Sequence, residues 1–148
     1  MTQDIVAVAA DHAGFPLKET LKGELVARGL KVLDLGTDGP ASVDYPDFAN
    51  RLARALKSGE AARGLIVCGT GIGISIAANR HAHVRAALCH DTTSARLARQ
   101  HNDANVLAMG ARLIGEEVAR ECLKVFLETP FDGGRHVGRV AKLSQSPA

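Results

Sequence analysis

The sequence predicts a single α/β domain: a five-stranded, mainly parallel sheet with helices on both faces. Three observations predict it. Five short runs are rich in Val, Ile, Leu and Ala, each is followed by an amphipathic stretch, and turn residues mark the junctions. Ile5–Ala10 is unbroken by polar residues, as suits a parallel strand covered on both faces. Asp11-His12-Ala13-Gly14 makes a turn. From Phe15 onward Leu17, Leu21 and Leu25 recur every four positions with Lys18, Lys22 and Glu24 between them; Pro16 suits a first helical turn and Gly29 closes the helix.

Lys31–Leu35 reads as the second strand. Asp44-Tyr45-Pro46-Asp47 opens a helix that carries Phe48, Leu52, Ala55 and Leu56 on one face and ends at Gly59. Gly64–Cys68, the third strand, runs straight into Gly69-Thr70-Gly71-Ile72-Gly73 and a small-residue helix, Ile74–Asn79. Ala86–Cys89 is the fourth strand and Thr92–Gln100 its helix. Val106–Met109 is the fifth, followed by a helix over Gly115–Glu128 with Val118, Cys122, Val125 and Phe126 inward. Thr129–Gly134 is a turn-rich break before a last amphipathic helix, His136–Leu143.

Composition narrows the function classes. At 148 residues and 46% hydrophobic, one domain spanning 1–148 can bury an aliphatic core without a disulfide or metal staple. Eighteen Lys and Arg against sixteen Asp and Glu leave only +2, which gives no support for a nucleic-acid partner. Cys68, Cys89 and Cys122 are widely spaced, with no C-x-x-C pair, as expected for a reducing cytoplasm rather than a disulfide framework or structural zinc site. The N-terminus has no basic leader, and no run of about eighteen apolar residues predicts a membrane span.

Open parallel sheets bind ligands at the carboxyl ends of their strands. That rule selects the turn after Ala10, the loop Cys68–Gly73 and the loop after Leu88. In the glycine loop, backbone amides can approach a phosphate or a developing oxyanion, although tight strand-to-helix packing alone also asks for glycine. Ile74 stands where a dinucleotide fingerprint needs glycine, and the Gly-Lys-Ser/Thr of a phosphate loop is absent, which disfavours a dinucleotide-dependent oxidoreductase. Cys68 directly precedes the loop, where a helix N-terminus favours a thiolate; the competing role is a small buried hydrophobe, the reading given to Cys89 and Cys122. Thr70 can hydrogen-bond the thiolate or a substrate oxygen.

His81 and His83 have metal-ligand spacing but no third ligand nearby, and read as exposed loop residues. His12, and His101 with Asn102, are candidates for a site or for ordinary turn and helix-end roles. Arg135 and Arg139 lie four apart on one helix face, a spacing that fits a phosphate or a solvated charged face, and Arg112 is a third candidate for the same anion.

Taken in order, Ala10–Gly14, Asp44–Asp47, Cys68–Gly73, His101-Asn102-Asp103-Ala104-Asn105 and Gly133-Gly134-Arg135-His136 resemble the type B ribose-5-phosphate isomerase family, which also includes the galactose-6-phosphate isomerase subunits. The resemblance runs from about Ile5 to Leu143. It implies a Rossmann-like fold, a phosphorylated sugar substrate, neither metal nor cofactor, and a homodimer with its active site at the subunit interface, with further pairing to a tetramer left open. By position it gives Cys68 as the base, His101 as the ring-opening acid/base and Thr70 as an assistant. It gives Asp11, His12, Tyr45, Gly69, Thr70, Gly71, Ile72, Gly73 and Asn102 as substrate contacts, and His12, Arg112, Arg135 and Arg139 as phosphate ligands. It implies that His101, Asn102 and Arg112 come from the neighbouring copy. Ser75 stands where some relatives carry a glutamate base. The alternatives are an isomerase for a four- or six-carbon aldose phosphate, such as allose or galactose 6-phosphate, and a non-catalytic phosphosugar-binding module.

Overall fold

Side chains alternate between the two faces of a strand, and in this chain each face meets a different set of helices. The computed structural model describes residues 2–145 and 147. A 3-10 turn at Thr2–Asp4 leads into strands β1 (Ile5–Ala10), β2 (Lys31–Asp34), β3 (Arg63–Cys68), β4 (Ala86–Leu88) and β5 (Val106–Gly110). All pair in parallel, in the order β2-β1-β3-β5-β4. The helices are α1 (Phe15–Ala27), α2 (Tyr45–Lys57), α3 (Ile72–Ala78), α4 (Thr92–Asn102), α5 (Glu116–Glu128) and α6 (His136–Leu143).

Val6, Val8, Leu65, Val67, Leu107 and Met109 point into one core, filled by Leu17, Leu21 and Leu25 of α1 together with residues of α4 and α5. Ala7, Ala9, Ile66, Cys68 and Ala108 point the other way, against Phe48, Ala49 and Leu52 of α2 and Ile74 and Ala78 of α3. The expected three layers are therefore present, and Cys68 belongs to the α2–α3 side.

Four expectations need correction. Val118 is 39% exposed, because the inward stripe of α5 is Ala119, Cys122, Leu123 and Phe126, one position later. His101 and Asn102 lie inside the last turn of α4, which Asp103 closes in a left-handed conformation at φ +46°. His81 and His83 are half-buried rather than exposed, and both fasten to α2: His81 Nε2 lies 2.8 Å from Asn50 Oδ1 and His83 Nε2 2.7 Å from the Ala53 carbonyl. Lys18, placed among the polar positions of its helix, is fully buried and paired with Asp34.

Candidate active site

Three strands end side by side. Ala10 pairs with Val67, and Cys68 with Gly110, so the turns that follow β1, β3 and β5 open on the same edge of the sheet. Asp11 is buried and its carboxylate accepts the Gly14 N–H at 2.9 Å, which closes the turn. His12 Nδ1 accepts the Val43 N–H at 3.1 Å. A backbone amide can only donate, so His12 carries its proton on Nε2 and can offer it to an anion.

Cys68 is 4% exposed, and the Gly71 N–H donates to its Sγ at 3.1 Å. Gly71 achieves this with φ +75°, a left-handed conformation that suits glycine. At least one amide of the glycine loop is thus spent on the thiol. Thr70 Oγ1 accepts the Ile72 N–H at 3.2 Å, and Ser75 Oγ donates to the Ile72 carbonyl at 2.8 Å, which occupies Ser75 structurally. Tyr45 opens α2 with its ring laid over Gly73: a Cβ at that glycine would stand 2.6 Å from Tyr45 Cζ. The Arg112 N–H donates to the Gly69 carbonyl at 2.9 Å, and its guanidinium runs along Gly69. Within one chain, Arg112 therefore accompanies the glycine loop. His90, not singled out from sequence, accepts the Gly110 N–H on Nε2 at 2.9 Å and braces the end of β5. Its only sequence signal was membership of the loop after Leu88.

The remaining candidates lie elsewhere. A helix that follows a parallel strand runs back along the sheet, so the C-terminal turn of α4 sits at the amino edge, where β5 begins. The four steps from Val106 to Gly110 alone amount to about 13 Å along the strand. His101, Asn102, Arg135 and Arg139 gather there with His136, Val140 and Leu143 around a cleft of about 270 Å³. The His101 and His136 rings stack at 4.5 Å. Desolvation, with the nearby His101, Arg135 and Arg139, holds the His136 imidazole below the usual histidine range. Asp132 joins the two rings to bring three donor atoms within 4.8 Å of one another, the one such group among the described residues. Arg135 and Arg139 on the same cleft make it positive and suit an anion better than a cation. Cys68, Tyr45 and the glycine loop do not line this cleft. Among the described residues no helix is long and apolar enough to cross a membrane.

A thiol, a histidine, a tyrosine and an arginine thus meet on the carboxyl edge of a doubly wound parallel sheet, the edge where folds of this α/β class bind their ligands. Residues 6–143 match the ribose/galactose isomerase family. Ribose-5-phosphate isomerase B of Escherichia coli is 45% identical over 139 residues, 94% of this chain and 93% of that protein. D-erythrulose-4-phosphate isomerase of Pectobacterium atrosepticum is also 45% identical over 139 residues, 93% and 91% of the two chains. Among solved structures, a ribose 5-phosphate isomerase from Thermotoga maritima superposes with a TM-score of 0.93 at 51% identity, covering 95% of this chain and 97% of that one. The chain belongs to the ribose/galactose isomerase family and is a sugar isomerase.

Proposed function

We propose that the chain interconverts ribose 5-phosphate and ribulose 5-phosphate, with Cys68 as base and His101 as ring-opening acid/base. The observation that carries this reading is the Cys68 thiol at a strand end with the Gly71 N–H aimed at its sulfur, beside Tyr45 and Asp11. His101 protonates the ring oxygen and helps remove the hydroxyl proton, which opens the sugar to its aldehyde. The Cys68 thiolate takes the C2 proton, and the electron pair passes to the carbonyl oxygen, giving a cis-enediolate. Loop amides not engaged by the thiol stabilise that oxygen. The O2 hydroxyl proton then passes to O1, and return of the first proton to C1 as the C2 carbonyl forms gives the ketose. His12 Nε2–H and the arginines hold the phosphate, and this remote binding aligns C1 and C2 with the base.

The separation of His101 from Cys68 supports assembly of the site from two copies, Cys68 from one and His101 with Asn102, Arg135 and Arg139 from the other. An apolar cleft of about 610 Å³ along the β4 edge, which reaches Leu143 and shares Asn102, supports the same arrangement. The family match supports the chemistry but leaves the sugar length open, since the five-carbon and the four-carbon isomerase above are equally similar and the family also covers galactose. Turnover of four-, five- and six-carbon aldose phosphates decides between them. The expected result is the highest kcat/KM on ribose 5-phosphate; a higher value on a four- or six-carbon substrate replaces the substrate and keeps the mechanism, and no turnover of any of them favours a binding module.

A further inference from the structure

We propose that the buried Lys18–Asp34 ion pair is a positioning device for the Asp11–His12 turn, acting through a closed circuit of hydrogen bonds. The proposal rests on the substrate contacts proposed above for Asp11 and His12. The Lys18 side chain is 0% exposed, and a buried ammonium is tolerated only when paired and hydrogen-bonded. Its Nζ donates to both oxygens of Asp34, at 2.8 and 2.9 Å. Asp34 Oδ1 also accepts the Gly36 N–H at 3.0 Å. The Gly36 carbonyl then accepts the Ala10 N–H, and the Thr37 N–H donates to the Ala10 carbonyl, both at 2.8 Å. Ala10 leads into Asp11, whose carboxylate holds the Gly14 N–H, and the Gly14 carbonyl accepts the Lys18 N–H at 2.9 Å. The path has returned to Lys18, with His12 enclosed between Asp11 and Gly14.

Two further contacts fix where the circuit sits. A Cβ on Gly14 would lie 2.3 Å from the Val67 carbonyl oxygen, so the turn is pressed onto β3 one residue before Cys68. Lys22 makes its own 2.6 Å pair with Asp34 Oδ2 at the rim, so α1 is tied to β2 without Lys18. What Lys18 adds is a donor on Oδ1, the oxygen that holds Gly36. Removal of Lys18 leaves the Asp34 carboxylate free to pivot toward Lys22 and away from the Gly36 amide.

The test is Lys18→Met beside Glu19→Gln. Glu19 pairs with both lysines but touches neither Asp34 nor Gly36. In Lys18→Met, at temperatures where it is fully folded, KM for the sugar phosphate should rise about tenfold while kcat changes less than about threefold, because binding residues move and the base does not. Native-state hydrogen exchange at the Gly14 amide should quicken about tenfold. Glu19→Gln should alter neither. Unchanged KM and Gly14 exchange in Lys18→Met, or an equal KM shift in Glu19→Gln, would overturn the proposal. Should the wild-type chain turn over none of the sugar phosphates, the proposed function fails, and Gly14 exchange alone still decides whether the circuit holds the turn.

Discussion

Gly73 and Gly110 both stand where another group fills the place of a side chain, but the groups differ. At Gly73 it is the far end of the Tyr45 ring, and at Gly110 it is the Thr70 backbone, 2.4 Å from where a Cβ would be. A ring that is 40% exposed can swing aside, whereas the backbone that carries the glycine loop cannot without moving the loop. Gly73→Ala is therefore expected to keep its melting temperature within a few degrees and to raise KM several-fold. Gly110→Ala should lose about 1–3 kcal/mol of stability, the usual cost of overpacking. Thermal unfolding beside steady-state kinetics checks both, and reversed effects would contradict the contacts drawn here. Cys68→Ala removes little volume and no hydrogen-bonded partner other than the Gly71 amide. It should unfold like wild type while turnover falls by at least about 10²- to 10⁴-fold, the range of a lost general base; near-normal turnover removes the thiol from the mechanism.

Among elements, the pairing of α1 with β2 is sensitive to acid. Burial opposes ionisation of Asp34, but hydrogen bonds from Lys18, Lys22 and the Gly36 amide outweigh it and hold the carboxyl below the ordinary aspartate range. A carboxyl depressed in the folded state contributes stability that is fully present above its unfolded value, about 3.9, and lost as pH falls through the folded value. Melting temperature should thus decline below about pH 4, and Asp34→Asn should flatten that decline while lowering stability at neutral pH. An equally steep acid decline in Asp34→Asn would assign it to other carboxyls, such as Glu19, which its bond to Lys22 also holds low. This element was only half legible in the sequence. The leucines of α1 recur with helical spacing and announce its buried face, but Lys18 looks like any solvated lysine until Asp34, sixteen residues away, is brought beneath it. The same holds for His81 and His83, in the turn after α3, whose partners Asn50 and Ala53 lie on α2. Periodicity reports the side of a helix a residue is on, and reads the five strands and their order of succession well. It does not report which polar groups meet across elements.

For the whole molecule, the sequence aligned all the candidate residues along one chain but could not divide them between the two edges of the sheet. That division follows from α4 running back along the sheet to where β5 begins, which carries His101 away from Cys68. Two copies related by a two-fold axis would each lend the other its α4–α6 cleft. The consequence can be tested without a structure of the complex. In a mixed dimer of Cys68→Ala and His101→Asn chains, one site joins the two altered residues and is dead. The other joins an intact Cys68 to an intact His101. Random pairing of equal amounts makes half of the dimers mixed, each with one working site of two, so the mixture should recover about one quarter of the wild-type rate per chain from two inactive parents. Denaturation and refolding together, followed by turnover on ribose 5-phosphate, measures it. A site built within one chain predicts no recovery at any ratio.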